Sequence, residues 1–148
     1  MKTYFLDTSA FLKRYLPETG SDVVDAIFEE YGLRYVSDLC LLECLSNLQR
    51  LHSVDGLVVR EHLQRLQATV ASDIESGKVT VINATPADIE AAVQILAWQY
   101  LTAVDALQIA AAKALGPGVV FVSSDAKLNR LASEQGLTVL DPAVGNAG

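Results

Sequence analysis

The chain has 148 residues, of which 51% are hydrophobic, and its formal net charge is −7. This length suits one domain with a sizeable core, predicted here over residues 1–148, and the net acidity argues against a broad basic surface for nucleic acid. No apolar run reaches the roughly 18 residues of a membrane span, and Asp7 interrupts the one candidate signal-peptide core, so we expect a cytoplasmic protein with no membrane attachment.

Strand-like and helix-like segments alternate along the chain, divided by glycine and proline. The predicted strands are short, apolar and mostly β-branched or aromatic, at 3–6, 34–37, 79–83, 119–123 and 138–140. The predicted helices lie at 9–16, 21–31, 39–51, 57–76, 86–100, 104–115 and 125–135. The helix over 86–100 carries an apolar stripe of Ile89, Val93, Leu96 and Tyr100. This alternation predicts an α/β fold with a parallel sheet covered by helices on both faces.

Acidic residues recur in apolar surroundings. Asp7 follows the first predicted strand and Asp125 follows the fourth, while Glu43 and Asp105 lie inside apolar helical segments. Ligands of parallel sheets bind at the carboxyl ends of strands, where all four acids can meet. Each acid alone also fits a simpler role, as a helix cap or in a buried ion pair. Together they predict a site for a hard cation, Mg²⁺ or Mn²⁺, and phosphodiester chemistry.

Hydroxyl groups and cations flank these acids. Ser123 is a candidate to hydrogen-bond a water or a phosphate oxygen, and Thr8 and Ser9 follow Asp7 at a turn into a helix, where backbone N–H groups can hold an anion. Lys13 and Arg14 follow one to two helical turns later as candidate phosphate contacts, although a solvated surface suits them equally well.

The two cysteines, Cys40 and Cys44, are one helical turn apart, so a disulfide between them would constrain almost nothing. We interpret them as small buried residues. A zinc site that adds His52 and His62 is an alternative, but the chain lacks the compact spacing of zinc motifs.

Three segments resemble a known family: YFLDTSAFLKRYLPETGS, LTAVDALQIAAA and VFVSSDAKLNRLASEQGL. They are similar to PIN-domain proteins of the VapC type, the toxin half of type II toxin–antitoxin pairs. The resemblance implies a three-layer α/β/α fold with a five-stranded parallel sheet in the order 3-2-1-4-5. In that order the strands that end at Asp7 and Ser123 are neighbours.

The same resemblance assigns roles to individual residues. The family's acids fall on Asp7, Glu43, Asp105 and Asp125, and the hydroxyl that precedes the last acid falls on Ser123. It implies an endoribonuclease that depends on Mg²⁺ or Mn²⁺, forms a homodimer and is inhibited by a VapB-type antitoxin. Those two partners would account for the apolar surplus.

Other functions compete with this one. A PIN nuclease of RNA processing, outside any toxin–antitoxin pair, has the same sequence features. An aspartyl-phosphate phosphatase needs a second Asp where Ser9 stands, a pure binding module gains nothing from four clustered acids, and a nucleotide-binding Rossmann protein needs a glycine-rich loop after the first strand. Trp98 and Tyr100 are expected in the core or in an interface rather than as a base-stacking platform.

Overall fold

The computed structural model describes residues 1–144, which form a parallel sheet between two layers of helices. The strands are β1 Lys2–Leu6, β2 Gly32–Ser37, β3 Thr80–Ile82, β4 Val119–Val122 and β5 Thr138–Leu140. Backbone pairing places them in the order β3-β2-β1-β4-β5, with every pair parallel. The predicted fold class and strand order are therefore confirmed.

Strand β1 lies at the centre of the sheet and is buried on both faces. Its successive side chains point to opposite faces, so Tyr4 and Leu6 join one hydrophobic cluster while Phe5 joins the other and stacks on Phe121. Leu6 pairs with Val122 in the register of β1 and β4. The residues that follow these two strands consequently leave the sheet side by side.

The helices divide between the two faces of the sheet. The first cluster includes residues of α1 Thr8–Leu12, α2 Ser21–Glu29, α3 Asp38–Ser53 and α4 Arg60–Glu75. The second includes residues of α5 Pro86–Leu96, α6 Ala103–Ala114 and α7 Ala126–Glu134. None of the helices within residues 1–144 has the length and apolar character that crossing a bilayer requires.

Two helices end several residues earlier than predicted: α1 ends at Leu12 rather than at residue 16, and α5 differs in both its length and its buried side. Helix α5 ends at Leu96 rather than at residue 100, and its predicted apolar stripe faces outward, with Ile89 and Val93 more than half exposed. The buried side instead carries Ala92 and Ile95. The helix is apolar on both sides, and we attribute the choice to Ala92, since a small side chain lets the backbone approach the alanine-rich helix α6 closely. Periodicity alone could not distinguish the two sides.

Cys40 and Cys44 are free thiols in the core, as expected. Burial raises the pKa of both, that of Cys44 to about 12, so neither is a thiolate at neutral pH. His52 Nδ1 donates instead to the Val58 carbonyl oxygen at 2.8 Å. Within residues 1–144 no group of His, Cys, Asp and Glu side chains has the geometry of a metal site, so the zinc alternative has no support.

Candidate functional site

The four acids singled out in the sequence line one cavity at the carboxyl edge of the sheet. The cavity has a volume of about 170 Å³ and is lined by Asp7, Thr8, Ser9, Glu43, Asp105, Gln108 and Asp125. Residues from four separate parts of the chain therefore converge, as the strand order requires.

Asp7 forms the floor of this cavity and is only 5% exposed. Its backbone N–H donates to the Val122 carbonyl at 3.0 Å, which extends the pairing of β1 with β4 by one residue. Its Oδ1 accepts from the Ala10 N–H at 2.9 Å and caps helix α1, and it also accepts from Ser9 Oγ at 2.7 Å. Its Oδ2 accepts from Ser123 Oγ at 2.6 Å. Capping is thus only one of the contacts that hold this carboxylate.

Ser123 links the ends of β1 and β4. While its hydroxyl donates to Asp7, the same oxygen accepts from the Asp125 N–H at 3.1 Å. Its carbonyl oxygen accepts from Asn129 Nδ2 at 2.7 Å, which anchors the loop to α7. Asp125 in turn caps α7 through a 3.0 Å bond from the Leu128 N–H to Oδ1. The Ser123 hydroxyl, a candidate to bind a water or a phosphate oxygen, therefore positions Asp7 and Asp125.

Glu43 and Asp105 enter the cavity from opposite layers of helices. Glu43 lies on α3, which Ser37 caps at the end of β2, and its Oε1 accepts from Thr8 Oγ1 at 2.7 Å. Asp105 lies in the first turn of α6, where Thr102 provides the N-cap. Helices that start at the carboxyl edge of the sheet thus bring both acids to Asp7.

The cavity carries negative charge that no ion pair within residues 1–144 balances. None of the ion pairs among residues 1–144 includes any of the four acids. Burial raises the pKa of Asp7, against the hydrogen bonds that it accepts, and the charge of Asp105 raises it further. Burial likewise raises the pKa of Asp105, reinforced by the charges of Asp125 and Glu43. The carboxylates repel one another, so an added cation would be favoured here.

Gln108 is a member of this cavity that sequence reasoning missed. It lies on α6 one turn after Asp105, and its Oε1 accepts from Ser37 Oγ at 2.9 Å. Its Nε2 is buried and has no hydrogen-bond partner within residues 1–144. A buried donor of this kind needs an acceptor, for which a water or an anion in the cavity is suited. The spacing of three residues from Asp105 was the available signal.

The donor set fits Mg²⁺ or Mn²⁺, since it offers carboxylate oxygens and no sulfur or imidazole. Within residues 1–144, however, no three His, Cys, Asp or Glu side chains already have the geometry that closes around an ion. Mg²⁺ in proteins keeps several waters and binds through one or two carboxylates, so it does not need such a preformed cage. The four acids therefore suit a cation that keeps part of its water shell.

The cations proposed as phosphate contacts lie in ion pairs of their own. Lys13 is buried and its Nζ lies 3.0 Å from Glu18. Arg14 bonds Asp25 at 3.1 Å and Asp73 at 3.2 Å. Neither side chain lines the acidic cavity. In this arrangement neither has an uncompensated charge to offer a phosphate.

A larger cavity of about 580 Å³ lies elsewhere, between helix α2 and strands β1, β4 and β5. Its polar groups already bind one another, because Glu30 accepts from Tyr4 Oη and lies 2.6 Å from Lys2 Nζ. Volume alone therefore does not locate the functional site in this protein.

Comparison with known proteins gives one family. A family model described as PIN domain matches residues 4–134. Among curated proteins, none matches the sequence closely enough to count as a relative.

Solved structures share the fold at low sequence identity. The toxin VapC20 of Mycobacterium tuberculosis, which cleaves the sarcin–ricin loop, superposes with a TM-score of 0.67 at 18% identity, over 92% of this chain and 97% of that chain. A toxin–antitoxin complex from Klebsiella pneumoniae gives 0.67 at 16% identity, over 95% and 98%. DNA-bound VapBC from Salmonella typhimurium gives 0.61 at 18% identity, over 96% and 99%.

Proposed function

Because the chain belongs to the PIN domain family, we propose that it is a metal-dependent endoribonuclease and the toxin of a VapBC-type toxin–antitoxin pair. The observation that carries this proposal is the buried carboxylate of Asp7, which has three further acids around it and no cation. Such a site is costly unless a cation occupies it. PIN domain proteins are nucleases, and the superposed VapC20 toxin cleaves an RNA loop.

In this proposal the four acids share the binding of Mg²⁺ or Mn²⁺. Asp7 and Asp105 are the principal ligands, and Glu43 and Asp125 complete the site, partly through waters. When bound, the ion supplies Lewis acidity to the phosphoryl group and lowers the pKa of a water that attacks phosphorus. One of the four carboxylates orients that water, and hydrolysis leaves a 5′-phosphate and a 3′-hydroxyl.

The neighbouring side chains hold the ligands in position. Ser9 and Ser123 donate to the two oxygens of Asp7, and Thr8 donates to Glu43, so these carboxylates are fixed before any ion arrives. The free Nε2 of Gln108 is available to donate to a water or to a phosphate oxygen in the same cavity.

We extend the proposal to two protein partners, a VapB-type antitoxin and a second copy of the chain. Two apolar surfaces support it. One is the outer side of α5 with Ile89, Val93 and the 88%-exposed Trp98, and the other is a groove between α3 and α4 that Leu41, Leu45, Gln67, Val70, Ala71 and Ile74 line. Exposed apolar patches of this kind mark interaction sites. We place the protein in the cytoplasm, where its RNA substrate lies.

The test is cleavage of a structured RNA by the purified protein with Mg²⁺, compared with Asp7→Asn. We expect the rate to fall at least about a hundredfold in the variant, equivalent to a loss of about 2.7 kcal/mol or more of transition-state stabilisation. The matched control is Asp22→Asn on α2, which removes one exposed carboxylate that does not line the cavity and should cut normally. Cleavage that persists in excess chelator, or in Asp7→Asn, would overturn the proposal.

Expression in a bacterial host separates a toxin from a nuclease of RNA processing. A toxin arrests growth when expressed alone, and co-expression of the neighbouring antitoxin gene restores growth. Arrest that Asp7→Asn does not relieve would contradict the toxin assignment.

A further inference from the structure

An acidic protein that cuts RNA needs local cations near its cavity, because its net charge of −7 repels the phosphate backbone. Lys13 and Arg14 are held in ion pairs. Lys127 and Arg130, on α7, are exposed and take part in none of the ion pairs among residues 1–144. They are spaced i and i+3 along α7, so they lie on the same side of the helix.

These two cations form part of a depression of about 520 Å³ that also contains an aromatic ring. The depression, called here the α7 groove, is lined by Gln99, Tyr100, Lys127, Arg130, Leu131 and Glu134. Lys127 Nζ lies 4.8 Å from the centre of the Tyr100 ring. Tyr100 is 80% exposed, so its ring is not in the core and most of its surface is open to solvent.

The α7 groove lies beside the acidic cavity. Lys127 follows Asp125 by two residues in the first turn of α7, and Tyr100 precedes Thr102, the cap of the helix that carries Asp105. Lys127 and Tyr100 therefore each lie within two residues of a segment that positions an acid of the cavity.

Exposed lysine and arginine are ordinary on protein surfaces. Lys127 and Arg130 differ from the others in their position and in the aromatic ring beside them. Arg60 and Arg65 on α4 are also exposed, but Arg65 lies 3.3 Å from His62 and neither residue lines the acidic cavity or the α7 groove. Within residues 1–144, the α7 groove combines two cations that are in no ion pair with an exposed aromatic ring, close in sequence to Asp105 and Asp125. Cations with stacking platforms are the usual means of holding single-stranded nucleic acid.

We propose that the α7 groove holds single-stranded RNA next to the phosphate that is cut. Lys127 and Arg130 contact backbone phosphates, and the exposed ring of Tyr100 stacks on a base. This inference rests on the proposed ribonuclease function and adds to it the means by which an acidic protein grips its substrate.

The test is RNA binding by the full chain carrying Asp7→Asn, which holds RNA without cutting it. Fluorescence anisotropy with a labelled single-stranded oligonucleotide in Mg²⁺ would compare Lys127→Gln with Arg130→Gln combined against Arg60→Gln with Arg65→Gln combined. Both double variants lose two positive charges, so net charge is matched. We expect only the groove variant to weaken binding and to lower the slope of log affinity against log salt by about 1.4.

Tyr100→Ala should weaken binding roughly fivefold or more through lost base stacking, with the salt slope unchanged. In the chain that retains Asp7, the groove variant should raise KM for RNA and leave kcat near its normal value. A melting temperature equal to that of the parent would show that these surface changes leave the fold intact.

Each outcome has a distinct meaning. If the groove and α4 variants bind alike while the parent chain still cuts RNA in an Asp7-dependent manner, the α7 groove inference is overturned and the ribonuclease proposal stands. If the parent chain neither binds nor cuts RNA, both are overturned.

Discussion

Asp7 and Asp73 are buried to nearly the same extent, at 5% and 4% exposed, yet only Asp73 has a cation beside it. Asp73 bonds Arg14 at 3.2 Å and accepts from the Tyr15 hydroxyl at 3.0 Å. Asp7 accepts only from two serine hydroxyls and one backbone N–H, and its charged neighbours are acids. Burial alone therefore does not identify a functional acid. What sets Asp7 apart is the cluster of three further acids around it, none of which is in an ion pair among residues 1–144.

The Asp73 arrangement is a structural device. Burial and the adjacent charge of Asp73 raise the pKa of Tyr15, so the phenol stays protonated and keeps donating. Arg14 also packs over the Phe28 ring at 4.6 Å. This cluster joins the segment after α1 to α2 and α4. Its charged groups and the Tyr15 hydroxyl already bind one another.

The largest stability effect is expected at Asp73. Asp73→Ala leaves Arg14 and Tyr15 without their buried partner and should cost about 3 kcal/mol of unfolding free energy in urea titrations, the lower end for a broken buried ion pair because Asp25 still contacts Arg14. Replacing the pair by apolar residues, Arg14→Met with Asp73→Leu, should recover most of the loss. A single-variant loss under about 1 kcal/mol would contradict the pairing.

Metal should stabilise one of these regions only. At a Mg²⁺ concentration near 100 times Kd, the wild type should gain about 2.7 kcal/mol, visible as a higher Tm. Asp7→Asn should lose most of that gain, whereas Asp73→Asn, although less stable, should keep it. Equal metal responses in the two variants would remove the distinction between the two aspartates.

Without metal, Asp7→Asn should be more stable than the wild type at neutral pH, by on the order of 1 kcal/mol from relief of carboxylate repulsion. Burial raises the pKa of Asp7 in the folded state above its value in the unfolded chain. Asp7 therefore contributes to the unfolding free energy below the unfolded pKa, and this contribution is lost as pH rises through the folded pKa. The advantage of Asn should accordingly shrink in mild acid. Urea titrations in EDTA at neutral and at mildly acidic pH measure the difference in unfolding free energy between the variant and the wild type. A variant that is less stable than the wild type at neutral pH would refute the prediction.

Asp88 provides the smallest effect and a third way to bury an acid. Its Oδ2 accepts from the Thr85 N–H at 3.0 Å in a reciprocal capping box at the start of α5. Asp88→Ala should cost roughly 0.5–1 kcal/mol, as capping interactions do, with an unchanged Mg²⁺ response. A changed metal response would show that Asp88 communicates with the cavity.

The sheet and the four acids were predictable because local patterns encode them. Asp7 and Asp125 follow apolar strands, and Glu43 and Asp105 interrupt apolar helical segments. The strand order, supplied by the family resemblance, then brought the four segments to one edge of the sheet. Patterns of this kind predict which residues follow the strands at the carboxyl edge of a sheet.

Pairing across the fold was not predictable in the same way. Asp73 lies in a polar segment of α4 and resembles a surface residue, although Arg14, far away in the sequence, neutralises it in the interior. The same long-range contact takes Arg14 away from its predicted role near phosphate. The outward side of α5 was not predicted because Ala92 is only weakly hydrophobic. Its small side chain nevertheless favours burial, since it allows close packing of α5 on α6.

The central position of β1 has a consequence for synthesis. Strand β1 is translated before its neighbour β4, with β2, β3 and their helices made in between, and Asp125 follows β4. An unfinished nascent chain therefore holds its first acid without its last, and no hydrogen bond from Ser123 fixes Asp7. The four acids can therefore come together in the cavity only after β4 and the start of α7 have been made.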